Sequence, residues 1–322
     1  MTQTGQQTGR AWRPLAALLL AALAGGCSPR PPAADSAPAP AAAPDCRRII
    51  SCAPSITETL FALGAGRRVV GVSRFCAYPP EVRTLPKIGG YLDPNYEMIL
   101  RLQPDLVLSL RENSSLTEFL TRNHIRHEVM DNDSVAAIAA ATERLGTLCG
   151  ATKPAAALAG GLRREFAAGQ RPGAAESAPR VLFCIGRDSP GSGGITRAYL
   201  AGPRTIYQEV ITAAGGRNVL EAAAGAAYPM VSGESILRLN PDLIIEIQAT
   251  STPEMAARSA ADWQSLPGVA AVKNGRVHLI SADYAAIPGP RLGLLLADVR
   301  RLIAAPRANG TVAEKREDHG NQ

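Results

Sequence analysis

From Arg48 onward the chain alternates short apolar runs with amphipathic stretches: RIISCAPS, SITETLFALGAG, RVVGVSRF, then a loop and YEMILRLQ, then PDLVLSL. Strand-sized runs separated by helix-sized segments predict parallel sheet with crossover helices, so the fold class is α/β. Helical patterns follow at 116–123, 134–149 and 152–168, the last opened by Thr152 with Pro154 just inside, a helix-start signal. Residues 170–179 are rich in Pro, Gly and Ala, and a second strand set opens at RVLFCIG. It continues through a Gly-rich loop, a helix at 205–214, the run DLIIEI, then GRVHLIS and a last helix at 291–304. Residues 306–322 are polar and are expected to be disordered.

The two halves match each other. Residues 91–108 read YLDPNYEMILRLQPDLVL and residues 228–245 read YPMVSGESILRLNPDLII, an offset of 137. Counted from Glu97 and Glu234, each copy has Tyr six before, Ile-Leu-Arg-Leu two to five after, and Pro-Asp-Leu seven to nine after. That spacing is a domain-scale duplication and implies two similar lobes. Each helix is expected to start at a turn residue, Asp93 with Pro94 or Ser232 with Gly233, which puts the glutamate in the first turn. Ile99, Leu100 and Leu102, with Ile236, Leu237 and Leu239, then define the buried face and leave Glu97 and Glu234 exposed. A first-turn carboxylate meets the helix dipole favourably, worth about 0.3–1 kcal/mol, which accounts for one such residue. A matched pair also suits a partner with symmetrically placed arginines.

The amino terminus reads as an export signal. Arg10 and Arg13 precede the apolar stretch 14–24 and then Gly25-Gly26-Cys27. Eleven apolar residues fall short of the roughly twenty needed to cross a bilayer. A cysteine after small residues resembles a lipobox, in which Cys27 is acylated, although Ala24 holds the position where that motif prefers Leu. Residues 28–45 are Pro or Ala at thirteen of eighteen positions, which favours extended polyproline II and a tether of about 50 Å. The expected organisation is a signal peptide at 1–26, a lipid-anchored tether at 27–47 and an N-terminal α/β lobe at 48–150. A connecting helix and linker at 151–179, a C-terminal lobe at 180–304 and a tail at 305–322 complete it. The remaining protein is expected outside the cytoplasm, periplasmic or otherwise extracytoplasmic, with the lipid as its membrane anchor.

Composition narrows the function. The chain of 322 residues is 46% hydrophobic and 19% charged, which excludes a disordered chain and makes two domains the natural prior. The net charge of +6 is spread thinly and loses Arg10 and Arg13 with the signal, so nucleic acid is not an expected partner. Six of the seven tyrosines, at 78, 91, 96, 199, 228 and 284, fall in expected loops, and only Tyr207 reads as helical. Ligands of parallel sheets sit at the carboxyl ends of the strands. The concentration of tyrosine there therefore points to a cleft for a large, partly apolar ligand, although a loop tyrosine also commonly caps a core. Arg74, Arg111, Arg187 and Arg197 are candidates for ligand carboxylates or phosphate, with solvated loop arginine as the alternative. Four histidines are too few for a bare-metal site, and His124 and His127 lie at a helix-to-strand transition. No Gly-Lys-Ser/Thr follows the Gly-rich loop and no Gly-x-Ser-x-Gly occurs, so neither a P-loop nor a serine-hydrolase reading holds.

The segments APSITETLFALGAG, VVGVSRFCAYPPEV, LPKIGG and PDLVL, with AGPRTIYQEVITAAGGRNVL and DWQSLPGVAAVKNGRVHLIS, resemble the cobalamin and ferric-siderophore class of ABC-transporter substrate-binding proteins. The similarity spans about residues 48–304. It implies two Rossmann-like lobes with parallel sheets, joined by one long helix here at 152–168, with ligand in the cleft between them. It implies that Glu97 and Glu234 dock on a permease dimer, which works with its ATPase subunits. Phe75, Tyr91, Tyr199 and Tyr228 match aromatic ligand contacts of cobalamin-binding members, and Asp283 matches a polar contact. Two positions depart from that pattern: Leu110 replaces an aromatic and Ile287 an arginine. The loop GRDSPGSGGITRAY is also longer, so a different corrinoid or a ferric siderophore or haem stays open. The expectation is a monomeric binding protein for a small metal chelate, with no enzymatic activity, resident cofactor or metal. An exported enzyme or sensor on the same fold is the alternative from another class.

With Cys27 acylated, Cys46, Cys52, Cys76, Cys149 and Cys184 remain, and five cannot all pair internally. Cys52 and Cys76 follow successive strands that parallel topology makes neighbours. They are the expected disulfide, with Cys76 as a ligand-facing thiol as the alternative.

Overall fold

The computed structural model describes residues 46–110, 113–168, 177–220, 225–248, 252–305 and the backbone of 312–313. All of them lie in one compact unit beginning at Ala42. The expected signal peptide, Cys27, the tether up to Asp45, Arg111 and nearly all of the tail fall outside the described residues.

The first sheet contains β1 (Ile49–Ser51), β2 (Val69–Val72), β3 (Leu106–Leu110) and β4 (His127–Met130), ordered β2-β1-β3-β4 and parallel throughout. The second contains β5 (Arg180–Arg187), β6 (Arg197–Leu200), β7 (Arg217–Asn218), β8 (Met230–Ser232), β9 (Leu243–Ile247), β10 (Val277–Ile280) and β11 (Val312–Ala313). Its order is β11-β10-β9-β5-β6-β8, with β7 beside β5. The helices are α1 (Pro54–Ala62), α2 (Tyr96–Arg101), α3 (Ser114–Arg122), α4 (Val135–Leu148), α5 (Thr152–Ala167), α6 (Ile206–Ala213), α7 (Gly233–Leu239), α8 (Pro253–Asp262), α9 (Ala270–Lys273) and α10 (Leu292–Ala304).

The duplication read from the sequence recurs in the sheets. The parallel set β7-β5-β9-β10 repeats the order β2-β1-β3-β4, and each matched segment supplies a helix followed by a strand beside the lobe's first strand. The shared Pro-Asp-Leu has a physical role in both copies. Asp105 Oδ2 accepts from the backbone N–H groups of Arg47 (2.6 Å) and Arg48 (3.0 Å) ahead of β1, and Asp242 Oδ2 accepts from Arg180 N (2.9 Å) at the start of β5. The folded lobe therefore takes in Arg47 and the buried Cys46, which the sequence had assigned to the tether.

The second sheet is mixed, which corrects the expectation of two parallel sheets. β6 runs antiparallel to β5 and β8 antiparallel to β6. After β5 the chain turns straight back through the Gly-rich loop, where Gly191 (φ 84°) and Gly193 (φ 94°) occupy a left-handed region costly for other residues.

α4 and α5 tie the lobes together. Ala155 of α5 packs in the N-terminal core with Leu145 and Leu148 of α4, while Leu162 and Phe166 pack in the C-terminal core with Val135 and Ile138. The two helices approach so closely at Gly146 that an added Cβ there would sit 2.2 Å from the Ala155 Cβ. Ala151 holds the N-cap of α5 without a side-chain hydrogen bond, so the expected opening residue Thr152 is its first helical residue.

Candidate functional site

The candidate site residues fall into three groups, on loops and on strands of the two lobes. On the N-terminal lobe, the chain leaving β2 presents Phe75 at 60% exposure, with the Arg74 guanidinium 5.3 Å from its ring centroid. Arg74 is already engaged, because its Nη2 donates to both Asp93 oxygens at 2.5 and 2.7 Å. That hydrogen bond holds the Asp93 carboxyl below the usual carboxylate range. The same loop carries half-buried Tyr91, whose carbonyl accepts from Asn113 Nδ2 at 2.7 Å, and Leu92 at 87% exposure.

On the C-terminal lobe, the antiparallel β6 and β8 set Tyr199 opposite Met230, both exposed. Half-buried Tyr228 meets Tyr207 edge-on at 6.5 Å, and Tyr207 stacks on Phe183 at 4.8 Å. Arg187, a candidate ligand contact on sequence grounds, is buried instead. Its Nε donates to Glu246 Oε1 (2.8 Å), Nη1 to Asp262 Oδ2 (2.6 Å) and Nη2 to the Ser259 carbonyl (2.7 Å). Trp263 Nε1 donates to the other Glu246 oxygen at 2.6 Å. Asp262 also accepts from the backbone N–H groups of Gly191 and Gly193 at 2.6 Å each. Burial alone would raise the Asp262 carboxyl, but the bonds from Arg187, Gly191 and Gly193 outweigh it and hold the pKa below its ordinary value. The network thus fixes the loop that delivers β6. Arg197 is paired in turn with Asp188 at 2.6 Å.

The third group crosses from lobe to lobe. Arg291, just ahead of α10, donates from Nε and Nη2 to the two oxygens of Glu58 on α1 at 2.9 and 2.6 Å, and from Nη1 to Asp283 Oδ1 at 2.8 Å. Its guanidinium lies 3.9 Å from the Tyr78 ring centroid. Asp283, the matched polar contact, is therefore ion-paired and half-buried. Burial pushes the Glu58 carboxyl up. Neither Glu58 nor Arg291 was picked out from sequence, although Glu58 is the one charged residue in PSITETLFA.

Glu97 and Glu234 are exposed in the first turns of α2 and α7. Asn95, not Asp93 or Pro94, caps α2 by accepting from Met98 N, while Ser232 caps α7 as expected by accepting from Ser235 N. Arg238 ion-pairs with Glu234 one turn on. The structure corrects the expected buried face at one matched position: Leu100 and Leu237 are 45% and 40% exposed. Lying three residues after the glutamates, they share the glutamates' faces.

Three tyrosines also differ from expectation. Tyr96 begins α2 and rests 4.4 Å from Phe119, Tyr199 is in a strand, and Tyr284 is buried with its hydroxyl donating to Asp298 Oδ2 at 2.5 Å. Cys52 and Cys76 are free thiols rather than the expected disulfide. Cys76 Sγ instead lies 3.2 Å from both Thr57 Oγ1 and Ser73 Oγ, and burial pushes the Cys52 thiol up to about 12. Among the described residues, no three His, Cys, Asp or Glu side chains converge on a metal-sized site, and no helix is long and apolar enough to cross a membrane.

Residues 49–284 match the family described as periplasmic binding protein. The chain is similar to a cobalamin-binding protein of Halobacterium salinarum, 28% identical over 300 residues that span 86% of this chain and 79% of the relative. It is also 28% identical over 251 residues, 76% of each protein, to an uncharacterized ABC transporter substrate-binding lipoprotein of Bacillus subtilis. Among solved structures, the periplasmic heme-binding protein of Roseiflexus sp. RS-1 in apo form superposes with a TM-score of 0.66. It is 26% identical, covering 80% of this chain and 97% of that one.

Proposed function

Because the chain belongs to the periplasmic binding protein family, we propose that it is the extracytoplasmic binding subunit of an ABC importer, that its ligand is cobalamin or a related corrinoid, and that a lipid on Cys27 holds it at the membrane. One contrast supports the choice of ligand: the residues proposed to face the ligand include exposed aromatic and aliphatic side chains, while the candidate arginines among the described residues are already paired. Phe75, Leu92, Tyr199 and Met230 are exposed, whereas Arg74, Arg187 and Arg197 are each bonded to carboxylates of this chain. Such a surface suits a broad, amide-fringed macrocycle, which gains from apolar contact and needs hydrogen bonds rather than countercharges. A multiply anionic ferric chelate would have to displace Asp93 to reach Arg74, or Asp188 to reach Arg197. The cobalamin-binding relative supports this reading by its name. A haem ligand is the second reading, supported by the name of the Roseiflexus structure.

Phe75 and Tyr91 would press on the ligand from one lobe, and Tyr199 and Tyr228 from the other, with Asp283 at the seam. Glu97 and Glu234 would meet arginines on the two permease subunits, and the matched Leu100 and Leu237 would add apolar contact on the same faces. The test is a binding titration with cobalamin, cobinamide, hemin and a ferric catecholate, with each incubation analysed for products. Saturable 1:1 corrinoid binding without chemical change supports the reading, and turnover of the ligand overturns it.

A further inference from the structure

We propose that Arg291 is an inter-lobe clasp: it sets the spacing of the two lobes and positions Tyr78 and Asp283 on the ligand-facing edge. The positioning half of this rests on the ligand-binding reading above, and the spacing half does not.

Three observations carry it. First, the contact joins lobes distant in sequence, Glu58 and Arg291 being 233 residues apart. Second, every edge of the guanidinium is used. The Nε and Nη2 edge takes both Glu58 oxygens, Nη1 takes Asp283, and a flat face covers Tyr78, with Tyr284 at 5.7 Å. A planar fork bound on both sides fixes direction as well as distance, which a lysine ammonium would not do. Third, Glu58 is only 1% exposed at its side chain, so with the lobes in contact the loss of the Arg291 guanidinium would strand a carboxylate in a buried position without its cation.

The surroundings reinforce the seam. Gly289 approaches α1 so closely that a Cβ would lie 3.0 Å from the Ser55 Cβ and 3.2 Å from its Cα. Asn132 Nδ2 donates to the Pro288 carbonyl at 3.3 Å, and Val135 N donates to Glu209 Oε1 at 3.2 Å. These contacts locate the lobes, and of the seam residues it is Arg291 that also holds Tyr78 and Asp283.

The experiment uses the mature chain with spin labels on cysteines introduced at two exposed helix positions, Arg122→Cys on the N-terminal lobe and Lys273→Cys on the C-terminal lobe. Electron–electron resonance then reads the distance between lobes without ligand. The clasp predicts one narrow distribution in the parent. In Arg291→Gln the distribution broadens or shifts to longer distance, and Glu58→Gln, which keeps side-chain size, gives the same change more weakly. Arg291→Lys restores the mean distance only in part. Unchanged distributions in both Arg291→Gln and Glu58→Gln overturn the proposal, and Glu58→Gln decides it alone if Arg291→Gln does not fold. In parallel, aquocobalamin, dicyanocobinamide and hemin are titrated into each variant, and an affinity loss of tenfold or more in Arg291→Gln is expected for whichever probe the parent binds. Equal affinity would overturn the positioning role. If the parent binds none of the three, the ligand reading falls, while the label distances still decide the clasp.

Discussion

Replacing Arg187 with Met removes the cation from a buried network and leaves its carboxylates behind. The side chains of Arg187, Glu246 and Asp262 are 0%, 1% and 2% exposed, so water does not replace the lost partner. Three charge-assisted bonds vanish. Glu246 keeps Trp263 Nε1 and Gln248 Nε2, and Asp262 keeps the Gly191 and Gly193 amides. Removing one member of a buried ion pair typically costs about 3–5 kcal/mol, and the retained donors place this case toward the lower half of that range. For a folded unit of this size, each kcal/mol moves the melting temperature by roughly 2–4 °C, so Arg187→Met should lower it by about 10 °C. The triple variant Arg187→Met, Glu246→Gln, Asp262→Asn removes the stranded charges and should recover most of the loss, because the net worth of a buried network against neutral replacements is small. Differential scanning calorimetry checks both. A shift below about 3 °C in the single variant would show that the carboxylates are not desolvated, and a triple variant as unstable as the single would refute the charge argument.

Other outcomes follow from the same geometry. Asp262 has its folded pKa held below 3.8, so its contribution to stability is complete above about pH 4 and is lost as pH falls through the lowered value. The acid-side fall in melting temperature should therefore be shallower in Asp262→Asn, and an identical fall would contradict it. Reversing both Glu97→Arg and Glu234→Arg should abolish uptake in cells while leaving ligand affinity unchanged, and undiminished uptake would remove them from docking. Tyr199→Ala and Phe75→Ala should each weaken corrinoid binding by roughly tenfold or more, since a large ring contact is worth about 1–3 kcal/mol, as calorimetric titration reads. With its thiol at about 12 and buried, Cys52 should resist alkylation in the native chain and react only on unfolding, which mass spectrometry after iodoacetamide reads directly.

What the sequence disclosed follows from how local each feature is. The α2–β3 and α7–β9 units were legible because their helical apolar spacing and Pro-Asp turn lie within one short window that the duplication showed twice, although the cap of α2 fell two residues later than expected, at Asn95. The antiparallel β6 and β8 were not legible. Their pairing depends on a Gly-rich reversal and on register against β5, which no local pattern encodes. Arg187 reads as a loop cation until Glu246 and Asp262 arrive from 59 and 75 residues away. The available signal was Glu246 itself, the one charge inside the buried strand LIIEI, where burial demands a partner. Glu58 gave the same signal in α1, and its partner Arg291 lies four residues beyond Ile287, where the family pattern had directed attention. The exposed Leu100 and Leu237 escaped because an apolar residue at helical spacing is ordinarily buried, and periodicity does not reveal that a short helix turns that face outward.

The central claim is that an apolar cleft with internally paired arginines selects a corrinoid over an anionic iron chelate. Calorimetric titration of the mature chain with cobinamide, cobalamin, hemin and a ferric catecholate tests it directly. The account predicts saturable 1:1 binding of a corrinoid, at least tenfold tighter than either iron ligand. Tighter binding of hemin or the ferric catecholate, or no corrinoid binding at all, would contradict it.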